Sequence, residues 1–253
     1  MKNLIIVVVL SCFLSLSLFA GDDIAVHIMN GDSLYKLFEN KGSLEAYLAA
    51  LQIDSMNYEA NWKASRAYTD VGETIEDDDE RAELYLKGSR HAKKAVQIDS
   101  MGSKGHLFLS IALGRVALDA GAKERIKLSK DIKKEVDLAI KYNPNDDTAY
   151  HVLGRWNRKL SNLSWIEKGF ADMFLGGVPE DASEENAIAA FKTAIELKPS
   201  HINHHLELGI TYEMMDMEEE ARKEFQTCLD LPESASGDTK YKKDAQERLE
   251  DLD

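Results

Sequence analysis

Apolar and small residues recur along this chain at helical spacing, in paired segments that close on proline or serine. The clearest closing segment is residues 187–199, AIAAFKTAIELKP. In it Ala187, Phe191, Ala194 and Pro199 place an alanine, a large apolar residue four on, a small residue three further and a proline five beyond. Small side chains along one stripe let a neighbouring helix approach, and proline ends the helix because it lacks an N–H and clashes with the preceding turn. Upstream, Tyr150, Leu153 and Gly154 mark the first helix of the same pair. Between the two halves lie about twenty residues more than such a pair needs. They carry Leu160, Leu163, Trp165, Ile166, Phe170, Ala171, Met173 and Phe174. The segment therefore reads as an inserted helix, with Trp165, Phe170 and Phe174 buried against the first helices of neighbouring pairs and Trp156 beside them.

The same pattern recurs four more times. A pair near 32–55 has Leu34, Tyr35, Leu37 and Phe38 on one helix, Ser43, Tyr47 and Ala50 on the next, and Ser55 where the consensus puts proline. A pair near 58–100 has Trp62, Ala64, Ser65, Ala67 and Tyr68, then Gly88, Ala92 and Ala95. Its ending AVQID-Ser100 echoes LQID-Ser55, which is internal evidence of duplication. The third pair, near 103–144, runs from Leu109, Ser110 and Leu113 through Ile132, Val136 and Ala139 to Pro144. The fourth is 147–199 with its insertion at 159–183. The fifth, 202–232, sets Leu208, Gly209, Tyr212, Ala221, Phe225 and Cys228 at consensus spacing, and 239–252 is polar enough to close an array against solvent. The spacing is that of tetratricopeptide repeats. It predicts an all-α fold, a right-handed α-solenoid of about five TPR-like helix pairs with one inserted helix and a C-terminal capping helix, spanning residues 21–253.

The first twenty residues change the expected compartment. Lys2, an apolar run from Leu4 to Phe19, and Ala20 ahead of an acidic start have the order of a secretory signal peptide. This predicts a 1–20 signal peptide cut after Ala20 and an exported protein, periplasmic or secreted, with an uncleaved anchor or a lipid on Cys12 as the alternatives. Cleavage removes one base and no acid, so the formal charge moves from −14 to −15. That balance excludes nucleic acid as an expected partner, since binding it rests on neutralising phosphates. Cys228 would remain as the one cysteine, so no internal disulfide is expected and a buried thiol is the reading at that site. The acidic run 73–83, ETIEDDDERAE, reads as a solvated loop and helix start favoured by the helix dipole. It lacks the glycine and alternating oxygen ligands of a calcium loop.

Candidate chemistry is sparse. No nucleophile elbow, phosphate loop, HExxH or CxxC occurs. His201, His204 and His205 have spacings that could put two imidazoles on one helix face. Because His205 falls at a buried repeat position and His201 just after Pro199, no metal is expected there, and with no catalytic motif and the acids scattered mostly on outer faces, neither a cofactor nor an enzyme is expected. Binding is the expected work, on the concave face lined by the first helix of each pair. Counting from the motif, the lining positions are Trp62, Arg66, Leu107, Ile111, His151, Arg155, Leu206 and Ile210. Several are apolar, which suggests a groove filled by the inserted helix or by an apolar ligand. The primary expectation is a non-enzymatic scaffold for a protein or peptide partner, and the alternative is binding or transfer of a lipid. A membrane would be met only through an uncleaved signal or such a lipid.

Beyond the bare repeat, LGRW at 153–156, LSWIEK at 163–168, MFLGGVP at 173–179, AIAAFKTAIELKP at 187–199 and LGITY at 208–212 resemble the regulator of microtubule dynamics family. The resemblance is best over 130–232 and looser over the rest, and the export signal predicts a bacterial relative. It implies an all-helical repeat fold and no catalytic residues. Animal members are associated with microtubules or organelle membrane contact sites, and lipid binding has been attributed to such a repeat domain.

Overall fold

The computed structural model describes residues 23–118, 120–164, 168–169, 177 and 182–252. Over these residues the regular structure is entirely helical. The expectations for residues 1–20, and for Trp165, Phe170 and Phe174 in the insertion, lie outside the described residues. No described helix is long and apolar enough to cross a membrane.

The chain divides into two compact units, Met1–Ser100 and Met101–Asp253. The first contains α1 (residues 23–36), α2 (Asn40–Ile53), α3 (Tyr58–Gly72) and α4 (Asp78–Ile98). α3 packs on both α2 and α4. Its alanines Ala60, Ala64 and Ala67 are wholly buried with Tyr47 and Ala50, so close approach follows from the small-residue stripe. Both α3 and α4 start on a side-chain cap. Asn57 Oδ1 accepts from the Ala60 amide and Asp77 Oδ1 from the Glu80 amide, each at 2.8 Å. Asp78, Asp79 and Glu80 then occupy the first turn of α4, where carboxylates meet the positive end of the helix dipole. The acidic run is a helix start.

The second unit contains α5 (Ser103–Leu118), α6 (Ala122–Tyr142), α7 (Asp147–Ser161), α8 (Glu184–Leu197), α9 (Ile202–Glu213), α10 (Glu218–Asp230) and α11 (Asp238–Asp251). Packing follows chain order. α5 pairs with α6, α7 with α8, and α9 with α10, while α6 touches α7, α8 touches α9, and α11 closes on α9 and α10. Helices that contact chiefly their sequence neighbours are what a stacked repeat requires. Trp156 is buried in a cluster with Ala117, Leu128, Ile132 and Leu160, and its indole N–H donates to the Ser129 carbonyl at 2.7 Å. Another cluster joins Phe191, Leu206, Leu208, Tyr212, Phe225 and Cys228. Burial lifts the Cys228 thiol to about 12, which leaves it an inert apolar filler.

One detail explains how second helices end. α2, α4, α6 and α8 stop two residues before Ser55, Ser100, Pro144 and Pro199. The residue after each helix, Asp54, Asp99, Asn143 or Lys198, leaves helical geometry yet sends its N–H back to Ala50, Ala95, Ala139 or Ala194. A residue before proline is pushed out of the helical region by the ring. Ser55 and Ser100 follow the same backbone path without that constraint.

Candidate functional site

The first helices present two polar groupings, one in each unit. In the first unit α3 supplies Trp62 and Arg66, both half-buried, and α1 and α2 supply their surroundings. The Arg66 guanidinium carbon lies 3.5 Å from the centre of the Tyr35 ring and 5.5 Å from that of Trp62. Its Nη2 donates to the Tyr47 hydroxyl at 3.1 Å. That hydroxyl in turn donates to Asp32 Oδ1 at 2.8 Å, and Lys63 Nζ holds Asp32 Oδ2 at 2.6 Å. Burial is the largest influence on Tyr47 and carries its pKa up to about 12. On Asp32 burial works in the opposite sense to the hydrogen bonds from Lys63 and Tyr47, which prevail and hold the carboxyl below its usual range. Among the described residues Arg66 makes no ion pair with a carboxylate, and its buried Nε has no partner.

In the second unit the six remaining expected positions separate. Ile111, Arg155 and Ile210 are partly exposed. Leu107, His151 and Leu206 are buried, at 0%, 8% and 3% exposure, and do not line a groove. The separation has a simple cause. α7 touches both α5 and α9, so positions that share a face in the repeat divide between helix contact and open surface. Arg155 Nη1 stands 3.4 Å from Glu207 Oε1. Arg158 Nη1 donates to the Glu207 backbone carbonyl at 3.0 Å and Nη2 to its Oε2. Burial is the main influence lowering the Arg158 pKa.

The histidine trio also separates. His205 turns to Glu224 at 2.7 Å and to the Pro199 carbonyl at 2.9 Å, and these hydrogen bonds outweigh its burial to raise its pKa. Burial and the neighbouring His204 and Lys198 push His201 down to about 4. His151, buried and beside His204 and Arg155, is held well below the usual range for the same reason. Two cavities, of about 290 and 310 Å³, open on the described surface. Ile28, Met29, Asp32 and Glu59 line the first, and Lys133, Tyr150, Asn157 and Asn186 line the second. None of the eight expected positions lines either cavity. Sequence reasoning missed Tyr35, Tyr47, Arg158 and Glu207. Of these only Glu207 carried a signal, a lone acid between Leu206 and Leu208.

Helix pairs stacked in chain order, with glycine and alanine stripes under aromatic residues of the partner helix, define a tetratricopeptide-type α-solenoid. The fold matches that of a thermophilic TPR protein from Thermus thermophilus, with a TM-score of 0.66 over 90% of this chain and 98% of that one at 18% identity. The chain belongs to the family described as regulator of microtubule dynamics protein 1-3, whose model matches residues 28–253. Among its relatives, regulator of microtubule dynamics protein 3 of Rattus norvegicus is 30% identical over 74% of this chain and 40% of that protein. Protein 2 of Homo sapiens is 28% identical over 76% and 47%. Protein 1 of Caenorhabditis elegans is 24% identical over 81% and 92%. The chain thus spans less than half the length of the rat and human relatives.

Proposed function

We propose that this protein is a non-enzymatic scaffold whose first-helix faces hold a protein or peptide segment presenting an anionic group. The observation that carries the reading is Arg66. A guanidinium has five N–H donors in a planar fork suited to a carboxylate. Here it is steadied by Tyr35 and Trp62 and donates to one neutral hydroxyl. A cation prepositioned in this way, in a protein of net charge −14, is a selective receptor for one anionic group. Arg155 offers less, because it already faces Glu207. The test is fluorescence anisotropy against a panel of peptides bearing acidic side chains or a free C-terminal carboxylate. Arg66→Gln should weaken the best binder at least tenfold while the melting temperature holds. Unchanged binding by the folded variant would overturn the reading.

The lipid alternative rests on an apolar lining and on the resemblance, and two of that lining's residues, Leu107 and Leu206, are buried in the core, which weakens it. A role in microtubule dynamics, named for the relatives, is part of the proposal only as one use of the scaffold, and co-sedimentation with polymerised tubulin tests it. Export with removal of residues 1–20 is likewise proposed, and an intact Met1 in protein from the native host would refute it.

A further inference from the structure

α7 and α9 bring together four side chains that peptide binding leaves unused. Asp147 begins α7 and His151 lies one turn further along. His204 sits in α9, and His201 immediately precedes that helix. His204 is enclosed, at 1% exposure, and engages both neighbours: its Nε2 is 2.9 Å from Asp147 Oδ2 and its Nδ1 is 3.0 Å from His151 Nδ1. The His201 ring stacks on His204 with centroids 4.1 Å apart and planes 8° from parallel. His201 Nδ1 is buried with no hydrogen-bond partner among the described residues. One ligating atom from each of Asp147, His201 and His204 falls within a 4.8 Å span.

One of these distances already fits a coordination sphere, and a ring rotation brings in the third donor. Zinc takes imidazole nitrogen at about 2.0–2.1 Å and carboxylate oxygen at about 2.0–2.2 Å, which sets adjacent donors roughly 3 Å apart. The Nε2 to Oδ2 separation of 2.9 Å already satisfies that condition. The hydrogen-bond bookkeeping agrees. A metal replacing the proton between Nε2 and Asp147 leaves His204 with a proton on Nδ1 to donate to His151 Nδ1. A ligating histidine ordinarily fixes its second nitrogen in this way. The orphaned His201 nitrogen supplies the third donor after a rotation of its ring. Two nitrogens and one carboxylate oxygen suit zinc, cobalt or nickel, whereas magnesium and calcium call for oxygen ligands.

We propose that Asp147, His201 and His204 form a binding site for one divalent transition-metal ion of the zinc class, with His151 as the hydrogen-bond partner that orients His204. Because Asp147 comes from the fourth helix pair and the two histidines from the fifth, the ion would fasten one repeat to the next and leave a coordination position open to water or a partner's side chain.

The test uses the untagged full chain, stripped with a chelator and titrated with zinc or cobalt alone. Expected are one equivalent bound with a micromolar or tighter Kd, a visible cobalt spectrum of tetrahedral or five-coordinate character, and a melting temperature that rises with zinc concentration. Asp147→Asn and His201→Gln should each weaken binding at least tenfold, and His205→Gln should leave it within twofold. His201 is the safer probe because it is only partly buried, and circular dichroism checks that each variant is folded. Binding weaker than millimolar, or undiminished binding in both folded ligand variants, overturns the proposal.

Discussion

Gly154 of α7 faces Phe191 of α8 so closely that a β-carbon on residue 154 would stand 2.6 Å from Phe191 Cε1. Gly209 and Phe225 repeat the arrangement at 2.5 Å, 16 residues apart in sequence instead of 37. The longer interval is the same pair with the insertion between its members. Phe191 and Phe225 are wholly buried, so neither ring has space to withdraw. Gly154→Ala should therefore destabilise the protein by about 1–3 kcal/mol through overpacking, despite alanine's better helix propensity. Urea unfolding measures it, and a stability gain would refute the close approach. Phe191→Leu in the same chain should recover part of the loss.

Acid should weaken the first unit through His91. Asn61 Nδ2 donates to the carbonyls of Ser55 and Asn57, which leaves its Oδ1 as an acceptor, so the His91 nitrogen 3.1 Å away carries the proton. The ring also stacks on Tyr68 at 5.5 Å. Burial first, then the nearby Lys94, lower the His91 pKa from 6.5. The unfolded chain thus takes up a proton near pH 6.5 that the folded chain declines until lower pH. Stability is complete above that point, falls as pH drops below about 6.5, and levels off once pH is below the folded pKa. His91→Gln should show a smaller drop in urea midpoint between pH 7 and pH 5 than the wild type. Identical drops would remove His91 as a cause.

Repeat periodicity made the fold class legible because its determinants are local. Ala187, Phe191, Ala194 and Pro199 lie within one helix and its stop, and each reports the close packing of a partner whose position follows from the repeat. The site was only half legible. Periodicity placed Trp62 and Arg66 together on α3, but it does not encode how far apart successive first helices stand. That distance decides whether Leu107 and Leu206 meet solvent or another helix. Nor does it reach pairings such as His204 with Asp147 or Arg158 with Glu207, which join residues 57 and 49 positions apart.

Phe38 offers a stabilising change. It follows α1 in left-handed backbone, φ 63°, where the Glu39 N–H returns to the Leu34 carbonyl in the usual helix-ending pattern that favours glycine. A side chain there costs about 1–2 kcal/mol, and Phe38 is 51% exposed, so the ring gives up only about half of a full burial in return. Phe38→Gly should raise stability by up to about 1 kcal/mol once glycine's extra unfolded-state freedom is counted. A lower melting temperature would mean that the ring contributes more packing than its exposure implies.

Glu207 is the residue whose loss should cost most among the polar groups. It is 7% exposed, Arg158 is 6% exposed, and two of Arg158's donors end on Glu207, one on its carbonyl and one on its carboxylate. Arg155 reaches the other carboxylate oxygen from a position where a third of its own side chain meets water. Glu207→Gln would leave a buried guanidinium facing a neutral amide with Arg155 close by, and stripping one partner from a buried pair costs about 3–5 kcal/mol. Arg155→Gln removes a contact that solvent already screens and should cost less than about 1 kcal/mol. Replacing Arg158 and Glu207 together by Met and Leu takes away both charges, so the double variant should be more stable than Glu207→Gln alone, since apolar replacement of a whole buried pair is often close to neutral. Urea midpoints of the four proteins give the order directly. If Arg155→Gln and Glu207→Gln cost the same, Arg155 is the true partner of the carboxylate and is withdrawn as a binding residue. If the double variant is the least stable, the pair is net stabilising and holds α7 against α9.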